Sequence, residues 1–321
     1  MKRVSTFIMA ALVALGLCAA PAGAAPKYPA KPINLLCVFG PGGAADLGLR
    51  VVAEYATKHG FTMNVVNMPG GSGTQAAMQV LNGRPDGYNV VFGSTSFVTL
   101  PMMKKVGYTI DSFTPVADIT DMPLTFCAST KSGITSFDQW MEEAKKNPGQ
   151  YNYGSPGSIT SQRQFLSVLI KDKFPDVVVN HVPYGSGHEV NTALLGNELK
   201  AAFGVPGTNQ NYLKSGEFKL LAVSSAQRLP EYPDAPTFAE LYGDKYVWVS
   251  FHGIFVKKGT PEPIVKALSD IVGQALADPE VQEKFTKIGI TANYRNYKDF
   301  IPFLDGVKAQ SVEALTLLGL I

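Results

Sequence analysis

The stretch INLLCVFGPGGAADLGLRVVAEYATKH, residues 33–59, contains the pattern that decides the fold. It begins with a mostly apolar segment typical of a buried strand, and it ends with Leu47, Val51 and Tyr55 on one face of a helix. A glycine-rich loop, residues 40–43, joins the two. A strand, a tight loop and an amphipathic helix together form the basic unit of an α/β protein.

The rest of the chain repeats this alternation in two sets, before and after about residue 124. Strands are predicted over residues 33–39, 63–67, 89–92, 124–128, 151–153, 177–182, 199–203, 219–224 and 247–256. Helices are predicted over residues 44–59, 74–81, 136–146, 160–171, 189–195 and 263–277. The pattern favours an α/β fold with mainly parallel sheets and helices on both faces.

Residues 1–25 have the features of a secretory signal peptide. Lys2 and Arg3 precede an apolar run over residues 7–20, and small residues follow it. A transmembrane helix needs about 20 apolar residues, more than this run provides. Cys18 follows a leucine, whereas a lipidation signal requires a small residue there. We therefore predict a chain that is secreted to the periplasm, with no lipid anchor and no membrane insertion.

Composition excludes several classes of partner and chemistry. Removing the two basic residues of the signal peptide lowers the formal net charge from +2 to zero, which argues against nucleic acid as a partner. Cys37 and Cys127 are either two buried thiols or a disulfide. The sequence contains no P-loop, G-x-S-x-G, H-E-x-x-H or C-x-x-C motif. We predict a protein that is not an enzyme and has no cofactor or metal.

Glycine-rich and hydroxyl-rich loops after the predicted strands are the candidate binding elements. Glycine lets the main chain approach a ligand closely, and free N–H groups at a helix start attract an anion. Such loops line one crevice at the carboxyl ends of strands in open α/β sheets. In the first set the candidate ligand-binding residues are Phe39, Gly43, Ala44, Asp46, Gly70, Gly71, Ser72, Gly73, Ser94 and Thr95.

Two of these features have alternative interpretations. Asp46 is placed either to cap its helix or to accept a hydrogen bond from a ligand. Gly71, Gly73 and Ala76 match one form of the dinucleotide-binding fingerprint, but no acidic residue that could bind a ribose follows over residues 90–100. We therefore interpret this loop as a cradle for a carboxylate.

The second set of loops supplies hydroxyl groups and one cation. Its candidates are Ser155, Gly157, Ser158, Ser161, Arg163, Tyr184, Gly185 and His188. The hydroxyl groups either hold a carboxylate or cap their helices. Arg163 is placed either for a bidentate contact with a second carboxylate of the ligand or on a solvated face.

Eight short segments resemble the Bug family, the periplasmic receptors of tripartite tricarboxylate transporters. In order they are PGGAAD (residues 41–46), NMPG (67–70), PDGY (85–88), YGSPG (153–157), HVPY (181–184), LAVS (221–224), PDAPT (233–237) and KGTP (258–261). Each segment alone has low specificity. Eight of them in order, spread over nearly the whole mature chain, make the resemblance specific.

This resemblance implies a two-lobe periplasmic binding protein of type II, the Venus flytrap fold. It implies a first lobe over residues 26–125 and 251–321, a second lobe over residues 126–250, and a ligand cleft between them. The implied protein is a monomeric receptor that captures a small carboxylic acid, largely through main-chain N–H groups and water. It would deliver that acid to the membrane subunits of a tripartite tricarboxylate-type transporter.

Departures from the family pattern bear on which acid is bound. Gly185 stands where the family has a lysine, His188 where it has a proline, and Phe203 lies where many members have an acidic residue. The result is a pocket that is poor in charge and richer in aromatic side chains, namely Phe39, Phe97, Tyr184 and Phe203. Our hypothesis is that the ligand is an aromatic or otherwise bulky acid.

Two other functions remain as alternatives to transport. A secreted hydrolase would use a Gly-Ser loop to bind its oxyanion, and it would turn over ester or amide substrates. A ligand-sensing partner of a membrane signalling protein would bind the same acid but act on a different membrane protein.

Overall fold

The computed structural model describes residues 28–156 and 160–321, which include two β-sheets and the helices packed on them. The predicted signal peptide with Cys18 lies outside the described residues, as do the candidates Gly157 and Ser158. No helix among the described residues is long and apolar enough to cross a membrane.

The first sheet consists of six strands. They are β1 (Ile33–Cys37), β2 (Met63–Asn67), β3 (Asn89–Ser94), β4 (Phe113–Pro123), β10 (Val249–Lys257) and β11 (Arg295–Asn296). Their order across the sheet is β11-β4-β10-β3-β1-β2. β1 pairs in parallel with β2 and β3, whereas β10 runs antiparallel between β3 and β4.

The second sheet consists of five strands. They are β5 (Thr125–Ser129), β6 (Asn152–Pro156), β7 (Asn180–Tyr184), β8 (Ala201–Gly204) and β9 (Phe218–Val223), in the order β7-β6-β8-β5-β9. β6 pairs in parallel with β7 and β8, and β5 runs antiparallel between β8 and β9. Both sheets therefore share one plan, with a reversed strand inserted beside three parallel ones.

Helices connect the strands of each sheet. They are α1 (Ala44–Lys58), α2 (Thr74–Asn82), α3 (Thr95–Met103), α4 (Phe137–Lys146), α5 (Ser161–Lys173), α6 (Gly187–Leu195), α7 (Pro206–Lys214), α8 (Phe238–Tyr242), α9 (Glu262–Ala277), α10 (Pro279–Lys287) and α11 (Phe300–Leu317). We call the first sheet with its connecting helices the first lobe, and the second sheet with its helices the second lobe.

Two neighbouring segments carry the chain between the lobes. The chain leaves the first sheet after β4 and returns to it between β9 and β10. The buried Ser224 joins both crossings, because it accepts a main-chain hydrogen bond from Trp248 (2.8 Å) and donates one to Leu124 (2.9 Å). Adjacent crossings joined in this way suit a hinge between two bodies.

Each lobe has its own aromatic core. In the first, Phe97 packs against Phe113 and Phe255 at ring-centroid distances of 5.1 and 5.3 Å. In the second, Phe126 packs against Trp140 and Phe203 at 5.0 and 4.7 Å. The last helix, α11, contacts both cores, since its first half packs with the first core and Ala314 packs with the second.

Several elements differ from the sequence-based expectation. β4, α3 and α7 were not predicted, because prolines and polar residues interrupt their apolar pattern. The short elements α8 and β11 were not predicted either. β7 begins at Asn180, three residues later than predicted. The sheets are also more mixed than predicted, because β10 and β5 add antiparallel pairings to each parallel core.

The two cysteines are not bridged. Cys37 lies in the first sheet and Cys127 in the second, and both thiols are free and buried. Burial raises the pKa of Cys37 to about 11 and that of Cys127 to about 12. Both therefore remain protonated at neutral pH and pack as small apolar residues.

Candidate functional site

The loops that follow β1 and β2 are joined by a network of hydrogen bonds around Asp46. This side chain is 1% exposed. Its Oδ2 atom accepts from the main-chain N–H of Gly42 (2.9 Å) and from Arg50 Nε (3.0 Å). Its Oδ1 atom accepts from Asn67 Nδ2 (2.7 Å). Asn67 Nδ2 also donates to the carbonyl oxygen of Phe39 (3.0 Å), so one amide holds both ends of the first loop.

The chemistry of this network favours an ionised Asp46. Burial alone would raise the pKa of Asp46, but hydrogen bonds from Arg50, Asn67 and Gly42 outweigh it and lower the pKa below its usual value. Because these protein groups already occupy both carboxylate oxygens, Asp46 acts on the loop itself. It holds residues 39–46 in place for whatever binds there.

The helices that start at the carboxyl ends of β1, β2 and β3 have no side-chain caps. Gly43 precedes α1, Gly73 precedes α2 and Ser94 precedes α3, and none of the three accepts a hydrogen bond from a main-chain N–H of its helix through a side chain. The first N–H groups of a helix have no partner within the helix. At α2 the Thr74 N–H already bonds to the carbonyl oxygens of Gly70 and Gly71 in the preceding turn. The free donors at neighbouring strand ends are therefore those of α1 and α3, and they can receive an anion.

Thr95, the first residue of α3, adds an unpaired hydroxyl. Its side chain is 3% exposed, and its Oγ1 atom has no hydrogen-bond partner among the described residues. A buried polar group without a partner is uncommon and indicates a missing water or ligand. The neighbouring candidate Ser94 bonds instead to Ser96, at 3.0 Å between their hydroxyl oxygens.

The remaining first-lobe candidates form the turn after β2. Gly70, Gly71, Ser72 and Gly73 make a short 3-10 helix that leads into α2. Gly73 has a positive φ of 96°, and a Cβ atom on it would come within 3.0 Å of Val38. Glycine here lets the β2 turn pack directly against the β1 loop.

The second lobe holds its first loop with uncharged groups. Ser155, at the end of β6, is fully buried. Its Oγ atom lies 2.7 Å from His181 Nε2 and 3.4 Å from Thr160 Oγ1. Burial, followed by the nearby charge of Arg163, lowers the pKa of His181 to about 4. The imidazole is therefore neutral at physiological pH and fixes the Ser155 hydroxyl through a neutral hydrogen bond.

The two second-lobe helices that carry candidate residues, α5 and α6, are capped by side chains. Thr160 accepts from the main-chain N–H of Arg163 (3.5 Å) at the start of α5, and Ser186 accepts from Glu189 (3.3 Å) at the start of α6. The candidate Gly185 donates its N–H to Glu189 Oε2 (3.0 Å), so this N–H is already used within the loop. The candidate Ser161 is buried at the first position of α5.

The predicted aromatic residues do not come together. Phe97 is fully buried in the first core, and Phe203 is buried in the second against Phe126. Phe39 remains half-buried and packs edge-on against His252 at 5.1 Å. Tyr184 is half-buried on the outside of the second core. Core packing accounts for Phe97 and Phe203 without a ligand, so the aromatic character of the site rests on Phe39 and Tyr184.

The last candidates differ in how closely the protein surrounds them. His188 is exposed on α6, where its main-chain carbonyl accepts from Thr192. Arg163 is half-buried, and its charge acts on the nearby Tyr153 and His181. Burial has the larger effect on the pKa of Tyr153 and His181, and the positive charge of Arg163 is near enough to favour a lower pKa in both. Ala44 begins α1 next to Gly43.

Several residues that shape the site were not among the sequence-based candidates. Asn67 and Arg50 complete the Asp46 network, and His181 holds Ser155. Gln164, one turn into α5, is fully buried, and both of its side-chain polar atoms lack partners among the described residues. Asn67 and His181 lie at polar positions in the final or first residues of strands, a signal available from the sequence.

A cavity of about 470 Å³ lies elsewhere, on the second lobe between β9, the start of α4 and residues 231–236. None of the sequence-predicted site residues lines it. Among the described residues there is also no group of three or more His, Cys, Asp or Glu side chains that could hold a metal ion. The loops at the strand ends therefore remain the candidate site.

A family match and similar known proteins indicate the same family. Residues 49–320 match the family described as "Tripartite tricarboxylate transporter family receptor". A "UPF0065 protein in gbd 5'region" from Cupriavidus necator is 30% identical over 316 residues, covering 98% of this chain and 95% of its own length. "Protein BugT" from Bordetella pertussis is 30% identical over 291 residues, covering 87% and 88%.

Solved structures share the fold. The "periplasmic binding protein BugD" superposes with a TM-score of 0.76 at 28% identity, covering 91% of this chain and 99% of that one. A Rhodopseudomonas palustris protein with bound malate has a TM-score of 0.74 at 24% identity, covering 90% and 100%. An R. palustris protein solved with adipate has a TM-score of 0.80 at 23% identity, covering 91% and 99%.

Proposed function

The chain belongs to the receptors of the tripartite tricarboxylate transporter family, which include the Bug proteins, and from that premise we propose that it captures a small carboxylic acid in the cleft between its lobes. This family consists of solute-binding receptors rather than enzymes. The captured acid would be handed unchanged to the membrane subunits of a tripartite transporter.

One observation carries the proposal: two uncapped helix starts, those of α1 and α3, follow the neighbouring strands β1 and β3 of the first lobe. The N–H groups that follow Gly43 and Ser94 lack side-chain partners, and Thr95, the first residue of α3, has an unpaired buried hydroxyl. Main-chain N–H groups and a hydroxyl group bind a carboxylate without a neutralising cation. Such a site holds its ligand reversibly, as transport requires.

The second lobe supplies the opposing half of the site. Ser155 is held by His181, and the charge of Arg163 acts on the same loop. A ligand with a second carboxylate would bridge the first-lobe N–H groups and this cation, and a bidentate guanidinium contact would favour a diacid. We therefore propose that compact diacids bind more tightly than monoacids.

Aromatic acids are the competing ligand class, because Phe39 and Tyr184 are half-buried at the two loops. Benzoate should bind if these rings stack on the ligand. Titrations in which only a diacid such as succinate binds, and no aromatic acid, would rule out the aromatic class.

We further propose that the protein works in the periplasm. The sequence features of residues 1–25 support export, and BugD is described as a periplasmic binding protein. Fractionation of cells that express the full chain should recover the protein, shortened near residue 25, with the periplasmic contents.

The experiment that tests the proposed function is a thermal-shift screen of carboxylic acids on the purified mature chain, followed by calorimetry. Adipate, malate, succinate and benzoate are the probes, and the uncharged adipamide is the control. A ligand that binds only the folded state stabilises it by about 2.7 kcal/mol at a hundred times its dissociation constant. Recovery of unchanged acid after incubation separates a receptor from a hydrolase.

A matched pair of variants locates the site. Thr95→Val removes the unpaired hydroxyl next to the helix start, and we expect it to weaken binding of the best acid by about tenfold, the effect of one lost charge-assisted hydrogen bond. Thr99→Val removes a similarly buried and unpaired hydroxyl one turn further along α3 and should leave binding unchanged. If both variants lost the same affinity for the acid, the start of α3 would not be part of the binding site.

A further inference from the structure

The main chains of Gly207 and Gly289 touch across the two lobes. A Cβ atom placed on Gly207 would lie 2.0 Å from the carbonyl oxygen of Gly289, although real Cβ contacts essentially never fall under 3.0 Å. A Cβ atom on Gly289 would lie 2.4 Å from the Cα atom of Gly207. Gly207 lies at the start of α7 in the second lobe, and Gly289 follows α10 in the first. At this point the lobes meet with no side chain between them.

The backbone of Gly207 does not itself require glycine. Its φ is not in the left-handed region, and it follows Pro206 in the first turn of a helix, where any side chain that fits is tolerated. Glycine costs a helix about 1 kcal/mol relative to alanine. The space next to Gly289 is therefore the reason for glycine at position 207. Gly289 differs, because its φ of 72° needs glycine in any case.

The first-lobe side of the contact is firmly anchored. Ile290 is 4% exposed and packs on Gly48 of α1. The carbonyl oxygen of Thr291 accepts from Thr120 Oγ1 (2.7 Å), and Asn293 donates its N–H to the carbonyl oxygen of Ile119 (3.1 Å). The segment carrying Gly289 therefore has little freedom to move away from an added side chain.

The second-lobe side is equally fixed. Asn209 donates to Thr125 Oγ1 (2.9 Å) at the crossing strand, and Asn191 donates to the carbonyl oxygen of Thr208 (2.8 Å). Thr208 also packs under Gly187, the first residue of the helix after β7. The start of α7 is thus tied both to the hinge and to a candidate binding loop.

We infer that Gly207 and Gly289 form the main-chain contact through which the lobes close, and that the missing side chain at position 207 sets how far they close on the ligand. This inference rests on the proposed function, because closure matters only if an acid is held between the lobes. An alanine at position 207 would place its Cβ atom 2.0 Å from the carbonyl oxygen of Gly289, so the two segments would have to move about 1 Å apart to bring this distance to at least 3.0 Å.

A separation of that size is enough to weaken ligand contacts made from both lobes. Displacing opposed groups by about 1 Å can cost up to about a hundredfold, because hydrogen bonds weaken steeply with distance. We expect Gly207→Ala to raise the dissociation constant for the best-bound acid at least tenfold, and Gly207→Val to raise it further. Both variants should fold, since each lobe keeps its own core.

Gly306→Ala is the matched control. Gly306 is exposed in α11 with open space around it, so the added methyl group meets nothing. Calorimetry with adipate, malate, succinate or benzoate, whichever the wild-type protein binds, compares the three variants. An unchanged dissociation constant in Gly207→Val would overturn the role of the contact in closure.

Hydrogen exchange tests the contact without depending on the ligand. The main-chain N–H groups of residues 207–208 and 288–290 should exchange faster in Gly207→Val than in the wild-type protein, measured without ligand and, where an acid binds, at saturation. Unchanged exchange in every condition would overturn the contact. If no acid binds the wild-type protein, the proposed function fails, while exchange still decides whether the lobes meet here.

Discussion

The two lobes share a strand order but prepare their helix starts differently. In the first lobe, α1, α2 and α3 begin without side-chain caps, whereas Thr160 and Ser186 cap α5 and α6 in the second. Uncapped N–H groups are available to an anion, and capped ones are satisfied. Under the proposed function, the first lobe would therefore attract the carboxylate, and the second lobe would position groups against it.

The same contrast appears in how each lobe holds its first loop. The first uses an ionic network of Asp46, Arg50 and Asn67, and the second uses the neutral pair Ser155 and His181. A charged network resists bending because breaking it leaves buried charge unpaired. A neutral pair adds no negative charge that would repel an incoming acid.

The largest expected effect comes from breaking the ionic network with Asp46→Ala. The free energy of unfolding should fall by about 3 kcal/mol, because Arg50, Asn67 and the Gly42 N–H lose their acceptor. Binding of the best acid should be lost together with loop order. Urea denaturation and calorimetry measure the two effects.

Glu54→Gln serves as the control for Asp46→Ala. Glu54 forms exposed ion pairs with Lys58 and Lys284, so its loss should cost under about 1 kcal/mol. The pKa of Asp46 is lower in the folded protein than the value of about 3.9 in the unfolded chain. The contribution of Asp46 to the free energy of unfolding is therefore complete above that unfolded pKa, and it is lost as the pH falls through the lower folded pKa. Equal costs for the two variants would mean that the Asp46 network does not order the loop.

A second effect concerns His252, a buried histidine of β10 in the first lobe. Burial lowers the pKa of His252 from 6.5 to about 4. The unfolded chain therefore binds a proton that the folded chain excludes, and stability falls as the pH drops from 6.5 to 4. The loss reaches about 3 kcal/mol at the lower end.

Replacement of His252 by phenylalanine should remove this part of the pH dependence. The neighbouring rings of Phe39 and Phe92 can accommodate a phenylalanine side chain. Urea denaturation at pH 7 and pH 4.5 measures how much the free energy of unfolding changes with pH. The control is His59→Gln, because His59 is exposed. If His252→Phe and the wild-type protein lose stability in parallel as the pH falls, folding does not lower the pKa of His252.

The smallest expected effect tests the contrast between caps directly. Gly43→Asp places a carboxylate at the uncapped start of α1, where the backbone is extended and a Cβ atom meets nothing. The new side chain should accept the N–H groups that the ligand needs and weaken binding about tenfold, while changing stability by under about 1 kcal/mol. Ser136→Asp, at the already capped and distant start of α4, should leave binding unchanged. If Gly43→Asp bound the acid as tightly as the wild-type protein, the start of α1 would not hold the acid.

Much of the fold could be predicted from local pattern. The strand, loop and helix over residues 33–59 were placed correctly, and the resemblance to the Bug family is confirmed by the family match. The predicted division into lobes at residues 125 and 251 stays a prediction. β4 was missed because Asp118 and Asp121 interrupt its apolar pattern, and they are accommodated only because Arg295 pairs with both.

The site residues chosen from the sequence stay predictions. Glycine and hydroxyl residues at strand ends can be recognised in the sequence, and Thr95 and Ser155 were chosen as candidates in that way. Phe203 looked equally suitable, but its position in β8 directs the ring into the second core. A side chain's face depends on which strands flank it, and that is not a local property.

The α/β alternation, the loops at the strand ends and the family resemblance could be predicted from the sequence, because they depend on residues close together along the chain. The contacts between distant residues became visible only in the tertiary structure. Asn67 reaches Asp46 across 21 residues, and Gly207 meets Gly289 between two lobes. Such contacts depend on strand order and on how the hinge brings the lobes together, and no spacing along the chain encodes those distances.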